Sequence, residues 1–185
     1  MDTRKIKLPL SDEVITSLQA GDMVLLSGEV YTARDVAHRR LYEALNNGEK
    51  LPIDLKTSVI FYAAPAPTPP GKIIGSIGPT TSYRMDFFTP KLIEHGLKGM
   101  IGKGNRSPEV VAAIKKHGAV YFGAIGGIAA LSSQCVKKAE LVAYEDLGPE
   151  AIRKLTVVDF PVIVINDPAG NDLYAQAENM WRVNN

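Results

Sequence analysis

Apolar and polar positions along the chain fall into short apolar runs and helical repeats, separated by glycine, proline and capping residues. Residues 5–9 read as a strand, residues 12–18 as a short helix behind Ser11, and residues 23–30 as an apolar strand after the Gly21-Asp22 turn. Thr32 is then expected to cap a helix, with Asp35 in the capping-box position. Val36, Ala37, Arg40, Leu41, Ala44 and Leu45 continue its apolar face as far as Gly48.

Residues 59–63 form a second apolar run, read as a buried strand, and the proline-rich stretch 65–70 must be a loop. Residues 73–77 are a further short strand by the same criterion. Thr89-Pro90 opens a helix ending near Gly96, and Ser107-Pro108-Glu109 opens another that stops at Gly118. Beyond them the pattern predicts a strand over 119–124, a helix over 127–139, and strands over 141–144, 155–158 and 162–165, with the last twenty residues weakly patterned. Helices alternate with strands in the centre while strand-rich segments flank it. The class is α/β with mixed strand directions, without the strict repetition of a doubly wound sheet. With no repeat or linker, residues 1–185 are expected to form one domain.

Composition narrows the function. Twenty-one Lys and Arg against 20 Asp and Glu leave a net charge of +1, so no global field draws the chain to nucleic acid or anionic lipid, and an anion must be held by a local pocket. At 45% hydrophobic residues, and with no apolar run long enough to span a bilayer, the expectation is a globular protein that meets no membrane. The first residues lack the apolar stretch of a signal peptide and one cysteine is present, so a reducing cytoplasm is the expected setting. Cys135 with His38, His95 and His117 cannot supply the ligand set of a zinc site or an iron–sulfur cluster, so no metal ligand is assigned in this chain. Cys135 reads as a small buried hydrophobe inside a helix.

Three motifs carry candidate chemistry. Gly78-Pro79-Thr80-Thr81-Ser82-Tyr83-Arg84 places a turn, three hydroxyls and a cation between a strand and a helix, where unpaired N–H groups favour a carboxylate or phosphate; helix capping by the same hydroxyls is the plainer alternative. Gly102-Lys103-Gly104 is not a phosphate loop, because the Walker pattern needs Gly at 97 and Ser or Thr at 104, where Leu97 and Gly104 stand. It leaves a lysine between glycines, a context that suits close ligand approach or a solvated turn. Arg34 lies in the first turn of a helix, where a cation is disfavoured unless an anion shares the site or a carboxylate such as Asp35 or Glu29 pairs with it. Gly123 to Ala130 lacks dinucleotide-loop spacing and reads as close helix-on-sheet packing.

The segments Thr32-Ala33-Arg34-Asp35-Val36-Ala37-His38-Arg39-Arg40, Gly78-Pro79-Thr80-Thr81-Ser82-Tyr83-Arg84-Met85-Asp86, Ile101-Gly102-Lys103-Gly104 and Gly126-Gly127-Ile128-Ala129-Ala130-Leu131 occur in one order. In that order they resemble the class I fumarate hydratases: the C-terminal half of the single-chain enzymes and the β subunit of the two-chain ones, which include L(+)-tartrate dehydratase. The likeness runs from about residue 24 to residue 168. It implies a three-layer swivelling β/β/α domain with a mixed sheet, and reversible hydration of fumarate to L-malate. It also implies a [4Fe-4S] cluster, ligated by a partner α subunit and acting as Lewis acid on the leaving hydroxyl. The active site would lie between the chains of a hetero-oligomer, with a homodimer as the form of this chain alone.

Removing a proton beside a malate carboxylate creates an enediolate-like dianion, which needs positive groups and a base. The resemblance puts the base at Thr80, with Lys103 as the second catalytic residue and Arg34, Arg84 and Thr81 as substrate-binding residues. A bare hydroxyl is a poor base, so adjacent cations must stabilise the alkoxide or a relay must take its proton. The competing readings are a tartrate dehydratase β subunit and a non-catalytic anion-binding or swivelling module of a larger complex.

Overall fold

The computed structural model describes residues 3–124, 127 and 129–181. Strand β1 (Arg4–Lys7) leads through helix α1 (Asp12–Thr16) to the long strand β2 (Met23–Thr32), helix α2 (Asp35–Asn46) and strand β3 (Val59–Phe61). A 3-10 turn (Ser82–Met85) and helix α3 (Thr89–Glu94) precede strand β4 (Gly99–Gly102), helix α4 (Pro108–His117) and strand β5 (Val120–Gly123). Helix α5 (Ala129–Cys135), strand β6 (Val136–Ala143), a second 3-10 segment (Glu145–Glu150), strand β7 (Ile152–Asn166) and helix α6 (Leu173–Trp181) follow.

The sheet is mixed and closes on itself. Strands β2, β3, β4 and β5 run parallel; β7 is antiparallel to both β5 and β2 and completes the ring. Strand β1 extends β2 in parallel, and β6 extends β7 antiparallel. Closure requires β2 to bend, and it does so at the register break between Leu26 and Gly28. Gly28 has φ 136°, and a Cβ there would lie 2.7 Å from Leu8 Cβ, so no other residue fits without strain.

The apolar runs are continuous because both faces of the strands are covered. Val59 and Phe61, Ile101, Val120 and Phe122 point into the closed sheet; Ile60 and Tyr62, Met100, and Ala119 and Tyr121 point outward beneath the helices. The two helices opened by proline start as expected, α4 with Ser107 Oγ accepting from Val110 N–H and α3 behind Phe88 without a side-chain cap.

Several boundaries differ from expectation, each for a tertiary reason. Helix α2 is capped by Arg34, not Thr32: Thr32 ends β2, and its buried hydroxyl donates to Ala151 O and accepts from Arg153 N–H. Residues 73–77 form no strand. Ile74 and Ile77 are buried, but Gly75 abuts Ala66 O so closely that a Cβ would collide, and the segment is held by Ala66 N–H to Ser76 O and Ile77 N–H to Ala129 O. The helix expected over 127–139 ends at Cys135, because Val136 enters the sheet opposite Val157. The two strands expected over 155–158 and 162–165 are one, β7. Asp159, at φ 50°, donates its N–H to Ser27 Oγ and carries the ladder past Pro161. The weakly patterned C-terminus contains α6, whose Leu173 and Tyr174 pack on the outer core.

Candidate active site

Because β2, β3, β4 and β5 are parallel, the residues following Thr32, Phe61, Gly102 and Gly123 emerge together at one end of the sheet, the carboxyl ends of these strands. Ala33 N–H bonds to Phe61 O (3.1 Å), Tyr62 N–H to Ile101 O (2.8 Å) and Ala124 N–H to Gly102 O (2.8 Å). The Gly78–Arg84 motif crosses this end: Thr80 N–H reaches Tyr62 O (2.6 Å) and Thr81 bridges to Lys103. Ser82 N–H bonds to Lys103 O (2.9 Å), and Lys103 N–H to Ser82 Oγ (3.1 Å). Segments far apart in sequence thus become backbone neighbours. Of the fourth motif, Gly126 and Ile128 lie outside the described residues, while Ala129 touches Gly78 closely enough that a Cβ there would stand 3.0 Å from the Ala129 Cβ.

The two arginines meet. Arg34 Nε lies 3.0 Å from Asp35 Oδ2 and 3.3 Å from Glu150 Oε1, and Arg84 Nε lies 2.8 Å from Asp35 Oδ1. Arg34 therefore has the expected Asp35 partner, Glu29 pairing instead with Lys154. Glu150 Oε2 also accepts the Val36 N–H in the first turn of α2 (3.1 Å). The arginine side chains stay 25% and 50% exposed, and among the described residues neither uses its Nη atoms in a hydrogen bond.

The three hydroxyls divide between structure and openness. Ser82 is buried, its Oγ 2.9 Å from Tyr121 OH and bonded to the Lys103 N–H. Thr81 precedes the 3-10 turn without making a cap bond, and Thr80 is half-buried with no side-chain hydrogen bond to a described residue. Capping thus does not occupy Thr80 or Thr81. The Lys103 side chain is exposed. Gly102 is required by packing, since a Cβ would collide with Ser82 Oγ.

Beneath this surface lies a network that sequence reasoning missed. Arg106 is fully enclosed: Nε bonds to Asp86 Oδ1 (2.7 Å) and Nη2 to Thr89 Oγ1 (3.0 Å), while the guanidinium lies 5.2 Å from the Tyr62 ring centre and 4.8 Å from that of Tyr121. Burial opposes its charge, but Tyr62, Asp86 and Tyr121 outweigh that and raise its pKa. Asp86 also accepts the Ser107 N–H, and Tyr121 OH donates to Gly104 O (2.9 Å), tying the network to the Lys103 loop. The usable signal was an aspartate and an arginine flanking two glycine-rich motifs. His38, one turn beyond Arg34, is wholly buried with neither ring nitrogen hydrogen-bonded and its ring edge-on to Tyr62 at 5.0 Å. Burial, aided by the Arg106 charge, pushes its pKa down to about 3.

Among the described residues no group of three or more His, Cys, Asp or Glu side chains is placed to hold a metal ion. Cys135 is partly buried, and burial raises its pKa. The residues present do not fit ligation of an iron–sulfur cluster by this chain. No described helix is long and apolar enough to cross a membrane. A hollow of about 590 Å³ at the amino end of β2 is lined by Gln19, Ala20, Asp167 and Asn171, far from these motifs; the Asp167 carboxylate there is already filled by N–H groups of Ala20, Ala169 and Asn171.

Fold and site together define an α/β domain that gathers cations, and hydroxyls unengaged among the described residues, at the carboxyl ends of parallel strands. The family described as the fumarase C-terminus matches residues 1–177, and the chain belongs to it. It is 42% identical over 184 residues to fumarate hydratase 2 of Leishmania major, covering 95% of this chain and 32% of that protein. It is 46% identical over 155 residues to the aerobic class I fumarate hydratase of Escherichia coli (strain K12), covering 83% of this chain and 28% of that protein. The chain thus spans about a third of these enzymes or less. Against the putative L(+)-tartrate dehydratase subunit beta of Methanocaldococcus jannaschii it is 39% identical over 173 residues, 90% of this chain and 89% of that protein.

Proposed function

We propose that the chain is the β subunit of a class I fumarate hydratase, completing with a cluster-bearing α subunit a site for reversible hydration of fumarate to L-malate. The observation that carries this reading is the gathering of Arg34, Thr80, Thr81, Arg84 and Lys103 at one end of the parallel strands, with arginine Nη donors and threonine hydroxyls unengaged among the described residues. The near full-length match to a relative named as a separate subunit supports a two-chain arrangement. We assign the [4Fe-4S] cluster to the α subunit. The closed mixed sheet is taken as a swivelling β/β/α domain, moving against that partner in a cytoplasmic hetero-oligomer.

In this scheme Arg34 and Arg84 bind the substrate carboxylates through their Nη donors. Thr80 Oγ1 takes the proton from the carbon beside a carboxylate, and Lys103, whose backbone bridges to that of the neighbouring Thr81, offsets the charge that develops. Thr81 adds a hydrogen bond to the substrate. The Lys103 ammonium also answers the weakness of a hydroxyl base, since a neighbouring cation favours the alkoxide.

Tartrate dehydration is the second reading, favoured by the near full-length match to the subunit beta relative. Co-expression with a cluster-bearing chain, anaerobic purification, and assay with L-malate, fumarate and L(+)-tartrate decide between them. The chain alone is expected to be colourless and inactive, and the complex to hydrate fumarate. Cluster absorbance from the isolated chain contradicts the two-chain scheme. Tartrate turnover without fumarate turnover selects the second reading, and turnover of neither leaves a non-catalytic anion-binding module.

A further inference from the structure

We infer that Asp35 is a positioning residue, whose carboxylate sets Arg34 and Arg84 as a paired clamp for one dicarboxylate; this rests on the functional reading above. The arginines come from unrelated elements, Arg34 from the start of α2 and Arg84 from the 3-10 turn. Each presents Nε to a different oxygen of the same carboxylate, at 3.0 Å and 2.8 Å. Two guanidinium groups this near each other repel, and the anion between them holds them in place. Arg34 is held by an Nε–H hydrogen bond and Arg84 by an ion pair at Nε, and their Nη atoms stay without hydrogen bonds among the described residues, which is the arrangement a second carboxylate needs.

Glu150 is the built-in contrast. It touches Arg34 alone, and its other oxygen accepts the Val36 N–H, so it completes the helix start and leaves Arg84 untouched. Asp35 also sits in the first turn of α2, where a carboxylate is favourable for the helix by itself. A purely helical role and a positioning role must therefore be separated by a readout that helix stability does not move.

The sign of the change in KM provides it. Asp35→Asn removes a negative charge beside two cations, so by Coulomb attraction alone the dianion binds more tightly and KM falls. If Asp35 aims the arginines, KM rises despite the gain in positive charge.

The test uses the full chain with its cluster-bearing partner, assayed with L-malate, and the isolated chain by NMR of the arginine Nε–Hε resonances, assigned with Arg34→Lys and Arg84→Lys. Asp35→Asn is expected to raise KM by roughly 10-fold or more, with a smaller loss of kcat. It is also expected to shift both arginine resonances. Glu150→Gln is expected to shift that of Arg34 alone, with KM changed less than ~3-fold. A lowered KM in Asp35→Asn, or an Arg84 resonance that does not move, overturns the inference. Should the wild-type complex turn over no diacid, the functional reading fails, and the resonances of the isolated chain still decide whether Asp35 holds both arginines.

Discussion

Arg106 and Arg84 each face an aspartate at similar distance, 2.7 Å to Asp86 and 2.8 Å to Asp35, yet the Arg106 side chain is fully enclosed and that of Arg84 is half exposed. Around Arg106, Asp86, Thr89 and two tyrosine rings use up the guanidinium. Around Arg84, among the described residues, only the carboxylate of Asp35 is engaged, and the remaining donors are open to a ligand. A saturated ion pair holds a structure in place, whereas an incompletely used one is available for binding. The two arrangements are coupled, since Asp86 lies on the chain two residues after Arg84 and the Arg106 network grips the loop that carries Lys103 through Tyr121 and Gly104.

The comparison predicts that effects on stability shrink, and effects on activity grow, in passing from the saturated region to the open one. Arg106→Met comes first. It leaves the Asp86 carboxylate buried without its partner, so a loss of about 3–5 kcal/mol is expected in urea unfolding. Arg106→Met with Asp86→Asn should recover part of that loss, because no unpaired charge then remains. A single variant as stable as the wild type would erase the distinction between the two regions.

His38 provides the next test. Its native pKa of about 3 lies below the ordinary histidine value because of burial and the Arg106 charge. The unfolded chain takes up a proton below about pH 6.5 and the native chain does not, so the stability held above that pH is lost as pH falls toward 3. The slope is at most ~1.4 kcal/mol per pH unit. His38→Phe should flatten the dependence of unfolding free energy on pH between about 4.5 and 6.5. An unchanged slope would mean that His38 takes up its proton in the folded state as well.

How much of this was legible depends on whether the cause is local. The helix starts at Thr89-Pro90 and Ser107-Pro108 were readable, because a proline, joined at Ser107 by a cap, acts within one turn. The merging of two apolar runs into β7 was not, because Asp159 and Pro161 look like a break until Ser27 on β2 receives the Asp159 N–H. Thr32 looked like a cap because its hydroxyl partners, at the start of β7 and just before it, lie more than a hundred residues away. At the site, family likeness supplied the identities of Arg34, Thr80, Arg84 and Lys103, while the carboxylates that organise them did not stand out. Asp35 was visible as a neighbour of Arg34, but its second partner is brought by folding, as is Glu150. Arg106 stands beside a glycine-rich motif, but its enclosure against Asp86 is brought about by folding.

Thr80→Ala moves to the open region. The hydroxyl makes no bond to a described residue, so the cost in stability should be about 1 kcal/mol or less, below that of a lost cap. If it accepts the proton, kcat of the complex falls ~10²–10⁴-fold. Thr81→Ala, at the exposed neighbour, should affect KM more than kcat. Near-normal kcat with a lowered melting temperature in Thr80→Ala would return that residue to a structural role.

Lys103→Met should disturb stability least. The backbone of Lys103 is bonded through its N–H to Ser82 Oγ and through its carbonyl to the Ser82 N–H, and both bonds survive any side chain. The side chain itself is exposed, so melting temperature and urea midpoint should stay within about 0.5 kcal/mol of wild type. Its effect on the reaction separates two uses of one charge. A lysine that only holds a substrate carboxylate stabilises ground state and transition state alike, and its loss raises KM with kcat unchanged. A lysine that offsets the charge of the enediolate-like intermediate acts more strongly in the transition state, and its loss lowers kcat as well, by roughly 10²-fold. Its pairing with Thr81, next to the proposed base, favours the second outcome: a raised KM together with a lowered kcat, in a protein whose fold is unchanged. A rise in KM alone would confine Lys103 to binding, and would leave Thr80 without the neighbouring cation that its role as base requires.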